Sequence, residues 1–187
     1  MDGAKLLNSI DPLYVIEKYY QAGTPLYETL MIHSVKVRDK ALECIARHGL
    51  EVDRDFVAEA AMLHDIGIFR CDAPDIYCTG RLPYIAHGIE GCKILQEEGL
   101  QKHALVCERH TGAGLTIDDI DRQHLPLPRR DMLPISIEEK LICYADKFFS
   151  KSGDPREEKS LDRVVRSMQR HGPETLARFM ELHRMFG

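Results

Sequence analysis

The stretch Asp53-Arg54-Asp55-Phe56-Val57-Ala58-Glu59-Ala60-Ala61-Met62-Leu63-His64-Asp65-Ile66-Gly67 decides how the rest of the chain is read. Phe56, Val57, Ala60, Ala61 and His64 recur at the three-and-four spacing of one helix face. Asp53 is of the type that caps a helix start, and Gly67 is placed to stop the helix in the left-handed conformation. The spacing predicts a helix that ends on an imidazole and a carboxylate side by side. Adjacent helical residues point about 100° apart, so His64 and Asp65 can approach one cation from two directions. They do so at the helix end whose dipole favours positive charge.

Other metal-ligand types stand at helix-length intervals from this pair. Thr24-Pro25 opens a long helix that runs to Gly49, with Leu26, Leu30, His33, Val37, Ala41 and Cys44 on one apolar stripe. A lone histidine in such a stripe is ordinarily a core residue bonded to a carbonyl. Beside His64-Asp65 it is better read as a ligand projecting between helices. Pro83 starts a helix that puts His87, Gly88, Gly91 and Leu95 on one face. The two glycines imply a close helix contact next to His87. Leu100 to Thr111 forms a further helix with His110 in its last turn. Ser136-Ile137-Glu138-Glu139 has the form of a capping box and opens a helix ending near Ser150. Asp146 shares that helix's apolar face, a costly place for a carboxylate unless it is paired or binds a metal.

His64-Asp65-Ile66-Gly67, a histidine on an earlier helix and an aspartate in Tyr144-Ala145-Asp146-Lys147 together resemble the HD superfamily of metal-dependent phosphohydrolases. The resemblance covers roughly His33 to Asp146. It implies an all-α fold, with His33, His64, Asp65 and Asp146 on one divalent ion. His87 and His110 fall where the two-metal subgroup has two more histidines, which implies a second ion bridged by Asp65. Four imidazoles and two carboxylates suit first-row transition ions (Fe, Mn, Co, Ni or Zn) better than Mg²⁺. A metal-bound hydroxide would then be the attacking group, with Asp65 indispensable and no Ser or Cys nucleophile required. The chain departs from the cyclic-dinucleotide phosphodiesterase branch, which usually has Lys where Ile68 stands and a Gly-Tyr-Pro stretch that is missing here.

Two cations near the ligands are candidates to meet a phosphate. Arg109, in Glu108-Arg109-His110-Thr111-Gly112, could clamp it in two-toothed fashion or pair with Glu108 or an Asp at the surface. Lys147 follows Asp146 directly, and Lys151 lies one turn on. Arg70 and Arg81 bracket a loop rich in Pro, Gly, Asp and Cys that would form a pocket wall or lid, and each taken alone is a solvated surface residue. Thr116 caps a short acidic helix, and the proline-rich run from His124 to Ser136 forms an extended strap.

At 187 residues, the chain is expected to form one domain, 1–187, with the metal-site core at about 24–150 and a C-terminal helical extension at 151–187. The extension's two apolar stripes would pack on the bundle or on a second subunit in a homodimer, and His171 and His183 read as surface or cap residues. A net charge of −5 offers no general attraction for nucleic acid, and no apolar run approaches the ~20 residues that span a membrane. The N-terminus does not read as a signal peptide, so a cytoplasmic protein is expected. The six cysteines form no CxxC and read as buried structural thiols, Cys71 and Cys78 being second candidates as loop residues near the site.

The expected function is hydrolysis of a phosphate ester, with a nucleotide or another small phosphorylated molecule as substrate. Two alternatives share the ligand pattern: a di-iron oxygenase of the same superfamily, and a ligand-binding module without catalysis.

Overall fold

A computed structural model describes residues 10–187. Nine α-helices account for nearly all regular structure among them. α1 (Pro12–Glu17) is capped by Asp11. α2 (Pro25–His48) begins on the Thr24 cap and ends on Gly49 in the left-handed conformation. Leu30, His33, Val37, Ala41 and Cys44 are all buried along it, so the stripe faces inward as its spacing requires.

α3 (Arg54–Leu63) starts on the Asp53 cap, but its end differs from expectation. Regular helix stops at Leu63, His64 is the C-cap, and Gly67 has φ −83°, so no left-handed stop is present. The glycine is needed for another reason. A Cβ at Gly67 would stand 2.3 Å from the carbonyl oxygen of His87 and 2.4 Å from the amide nitrogen of Gly91. The turn after Asp65 therefore packs directly on the backbone of α4 (His87–Glu97). Tyr20 holds the same turn from the other side, its hydroxyl donating to the Ile66 carbonyl at 2.8 Å.

The segment between α3 and α4, read from sequence as loop, holds a two-stranded antiparallel hairpin, β1 (Asp72–Ala73) with β2 (Cys78–Thr79), and three short 3₁₀ turns. α4 lies close against α5 (Gln101–Arg109), as its two glycines imply: a Cβ on Gly88 would be 2.6 Å from the Cys107 carbonyl. α5 ends at Arg109, two residues earlier than expected. α6 (Ile117–Arg122) carries a reciprocal capping box between Thr116 and Asp119. The strap that follows is extended, and Leu115 and Met132 pair across it.

α7 (Ile137–Asp146) ends on the aspartate rather than near Ser150. Only half of its capping box forms. Ser136 accepts from the Glu139 amide at 3.1 Å, but the Glu139 carboxylate turns to the Ile135 amide and to Arg109. α8 (Leu161–Gln169) and α9 (Pro173–Phe186) then fold back on the bundle. Phe179 and Phe186 of α9 pack on Tyr144 of α7 in one buried aromatic cluster. His183 belongs to that contact, its Nδ1 lying 2.9 Å from the Tyr144 hydroxyl, so it is a packing residue and not a surface one. No helix among the described residues is long and apolar enough to cross a membrane.

Candidate metal centre

Six ligand-type side chains converge between α2, α3, α4, α5 and α7, all of them buried. His33 projects from the middle of α2, His64 and Asp65 from the end of α3, and His87 from the start of α4. His110 comes from the end of α5 and Asp146 from the end of α7. Five of the six sit at helix boundaries, where the chain turns away and leaves room for a ligand.

They form two groups that share one carboxylate. In the first, His33 Nε2 lies 3.3 Å from His64 Nε2, 3.0 Å from Asp146 Oδ1 and 3.1 Å from Asp65 Oδ2. His64 Nε2 is 3.1 Å from the same Asp65 oxygen and 3.4 Å from Asp146 Oδ1. In the second, Asp65 Oδ1 lies 3.4 Å from both His87 Nε2 and His110 Nε2, which are 3.1 Å apart. Ligand atoms bound about 2.1 Å from one ion and at right angles to one another stand ~3 Å apart. Both groups have edges of that length, so each can hold a divalent ion, with Asp65 offering one oxygen to each.

Hydrogen bonding outside the groups fixes which ring nitrogen faces in. Nδ1 of His64 donates to the Ala61 carbonyl at 2.7 Å, Nδ1 of His87 to Tyr84 at 2.6 Å, and Nδ1 of His110 to Cys107 at 2.8 Å. A carbonyl can only accept, so each Nδ1 carries the hydrogen and each neutral ring presents an Nε2 lone pair to the centre. Two lone pairs 3.1 Å apart, as in His87 and His110, repel unless a cation lies between them. Asp65 Oδ1 is also buried with no hydrogen-bond donor among the described residues. Both features fit a metal ion.

The charges tell the same story. Burial pushes the His87 imidazole down to about 3, against the pull of Asp65, and burial likewise lowers His110, so both stay neutral. Burial works against the charged form of His64 too, but Asp65 and Asp146 outweigh it and hold the ring up at about 9. Burial would raise the two carboxyls; Lys151 and His64 beside Asp65, and Lys147 with His33 beside Asp146, hold both well below the usual range. The protein alone thus offers two carboxylates balanced by a proton on His64 and two ammonium groups.

The sequence-derived cations fall in different places. Lys147 Nζ donates to Asp146 Oδ2 at 2.7 Å and to the His110 carbonyl at 3.0 Å, beside the first group. Arg109 is turned away onto Glu139, 2.9 Å from its Oε2, and neither of the expected partners, Glu108 or an Asp, is its main one. Lys151 is the residue that sequence reasoning passed over. Its ammonium bonds Asp65 Oδ2 and lies 3.3 Å from His33 Nε2. Its place one turn past Asp146 was the available signal, but the helix ends in between, so helical spacing could not aim it. Arg70 pairs with Glu90 and is held away from the ligands. All six cysteines are buried and free, and burial raises the Cys71 and Cys78 thiols to about 11, which keeps them protonated and inert.

A helical bundle that gathers four histidines and two aspartates, all but His33 at helix ends, defines a metal-binding protein of the all-α class. The chain belongs to the HD domain family, whose model matches residues 30–150. Among curated proteins it is similar to an uncharacterised protein of Methanocaldococcus jannaschii, 38% identical over 123 residues, covering 64% of this chain and 65% of the relative. Two proteins named tRNA (cytidine(56)-2'-O)-methyltransferase also match. That of Picrophilus torridus is 35% identical over 62% of this chain and 29% of its own, and that of Thermoplasma volcanium 28% identical over 90% and 44%. The chain therefore spans less than half of either methyltransferase-named relative. No solved structure matches it significantly.

Proposed function

We propose that this protein is a metal-dependent phosphohydrolase that uses two divalent transition ions to cleave a phosphate ester of a small molecule. The observation that carries the reading is a cavity of about 350 Å³ that reaches Asp146 and has Lys147 and Lys151 in its wall. A metal centre of four imidazoles and two carboxylates, flanked by ammonium groups, suits a phosphoryl group, whose oxygens carry negative charge into the transition state. His33, His64, Asp65 and Asp146 would hold one ion, and Asp65, His87 and His110 the other. When bound, such a pair supplies a water of pKa near ~7 and neutralises charge on the transferring group.

The remaining tasks belong to the protein. Lys147 and Lys151 bring two positive charges to the phosphoryl oxygens, the role that the sequence alone divides between Arg109 and Lys147. Tyr84, stacked on His87, closes the cavity beside Lys151. Burial raises its hydroxyl far above neutrality, so it remains a donor. Thiols and hydroxyls need not attack the phosphorus, and no activated one stands at the centre among the described residues.

A nucleotide is the favoured substrate class, because two relatives carry names from nucleic-acid chemistry. The net charge of −5 and the small volume of the cavity, about 350 Å³, favour a small molecule over a polymer. The test is a screen of nucleotides and simple esters on protein loaded with Mn²⁺, Fe²⁺, Co²⁺ or Ni²⁺. Wild-type protein should hydrolyse at least one of them, and Asp65→Ala should hydrolyse none. Oxygen consumption by the iron form, with no hydrolysis under any condition, would replace this reading with an oxygenase.

A further inference from the structure

Lys159 lies beyond the end of the family match, on the wall of the cavity that reaches Asp146 at the edge of the metal centre. Its ammonium donates to two backbone carbonyls, Phe149 at 3.2 Å and Lys147 at 3.5 Å. Lys147 and Lys151 each bind a ligand carboxylate, but Lys159 makes no ion pair with a carboxylate among the described residues. An ammonium has three hydrogens, so one remains to be matched. The charged groups that face it are Asp146, already bound by Lys147, and three cations, Lys147, Lys151 and Arg163. Burial lowers this ammonium's pKa, Asp146 opposes the change and the three cations add to it. Ser150 and Ser152 line the same wall with hydroxyls 3.1 Å apart, and these can turn a hydrogen toward an acceptor. Apart from Asp146, the lining carboxylate is Asp75, which is exposed.

A partly buried cation with a spare donor, in a field of other cations and facing a cavity, calls for an anion. We propose that Lys159 forms a second anion site, so that the substrate carries two anionic groups: a phosphate ester over the His/Asp centre and a second phosphate or a carboxylate on Lys159. The proposal rests on the phosphohydrolase reading for the first group and adds the substrate class. At about 350 Å³ the cavity is at the small end for ligand sites, so the two groups belong to one compact molecule.

Binding of ligands that cannot be hydrolysed separates the two readings. Calorimetric titration of the full, metal-loaded chain would use butane-1,4-bisphosphonate, 5-phosphonopentanoate and butylphosphonate. Wild-type protein should prefer at least one two-anion ligand over butylphosphonate by about ten- to a hundredfold, as one charge-assisted hydrogen bond allows. Preference for the bisphosphonate identifies the second group as phosphate, and preference for the phosphonocarboxylate identifies it as carboxylate. Lys159→Met should bring the affinity ratio close to one, and Lys159→Arg should keep it. Lys159→Gln, which retains a donor for the loop carbonyls, serves if the methionine variant does not fold. Equal affinities in wild-type protein, or a preference that survives loss of the charge, would overturn the proposal. Hydrolysis of p-nitrophenyl phosphate, which has one anionic group, is measured alongside. No hydrolysis of any ester in the screen, with the two-anion preference intact, would overturn only the hydrolase reading.

Discussion

His87 and His110 point their Nε2 atoms at each other across 3.1 Å, and both rings have spent their only hydrogen on a carbonyl behind them. A pair of neutral imidazoles gains nothing from that arrangement by itself. It becomes favourable when a cation accepts both lone pairs, with Asp65 Oδ1 as the third donor 3.4 Å from each.

Metal counting tests this directly. His87→Ala and His110→Ala should each lose one ion per chain and keep the other. Asp65→Ala should lose both, since it removes a donor from each group. Elemental analysis after saturation and desalting gives the count. A wild-type count in both histidine variants would mean that these residues bind something other than a metal.

Metal uptake should release protons. His64 is held up at about 9 and so is protonated at pH 7, with the proton on the Nε2 that an ion would need. The sign is that of a raised pKa: the proton's stabilisation of the ion-free fold is complete below about 6.5 and is lost as pH rises through about 9. Below that value each pH unit should cost the metal about a factor of ten in affinity. Calorimetry at pH 7 in two buffers of different ionisation enthalpy should show about one proton released per chain. A heat independent of the buffer would contradict this.

Lys151→Met and Arg109→Ala should fail in different ways. Lys151→Met removes a charge at the reacting centre, so kcat/KM of the metal-loaded protein should fall about ten- to a hundredfold, with a lower unfolding midpoint only in ion-free protein, where Asp65 loses its partner. Arg109→Ala strips Glu139 of its partner and should cost about 1–3 kcal/mol in urea unfolding, with a smaller effect on turnover. The reverse pattern would return the phosphate clamp to Arg109.

Gly67→Ala should be destabilising by about 1–3 kcal/mol, because the added methyl meets backbone on α4 that has no side-chain freedom to yield. Moving α4 also moves His87, so the second ion should bind more weakly while the first is retained. A denaturant midpoint and a metal titration on this variant would show both effects or neither.

The helix starts and their buried faces were legible in the sequence, because both depend on local rules. The caps at Thr24, Asp53 and Thr116 all form, and the α2 stripe around His33 is buried as its spacing demands. Gly67 was read by a local rule and is governed by a distant one, the approach of α4. Arg109 and Lys151 show the same limit from opposite sides. Glu139 lies thirty residues from Arg109, and Asp65 eighty-six from Lys151, distances at which no helical period operates. The aim of a long flexible cation depends on which carboxylate packing brings within reach.

Three of the four imidazoles are steered by a carbonyl three residues earlier in their own segment, at Ala61, Tyr84 and Cys107. Their direction is therefore set by a bond within each helix end. The rotational freedom of those rings is already given up in the folded chain and need not be given up again when an ion arrives. What remains for tertiary assembly is spacing, so the centre acts as a gauge of how closely α2, α3, α4, α5 and α7 dock. A substitution that shifts one helix should thus change the ranking of ions by size before it abolishes binding.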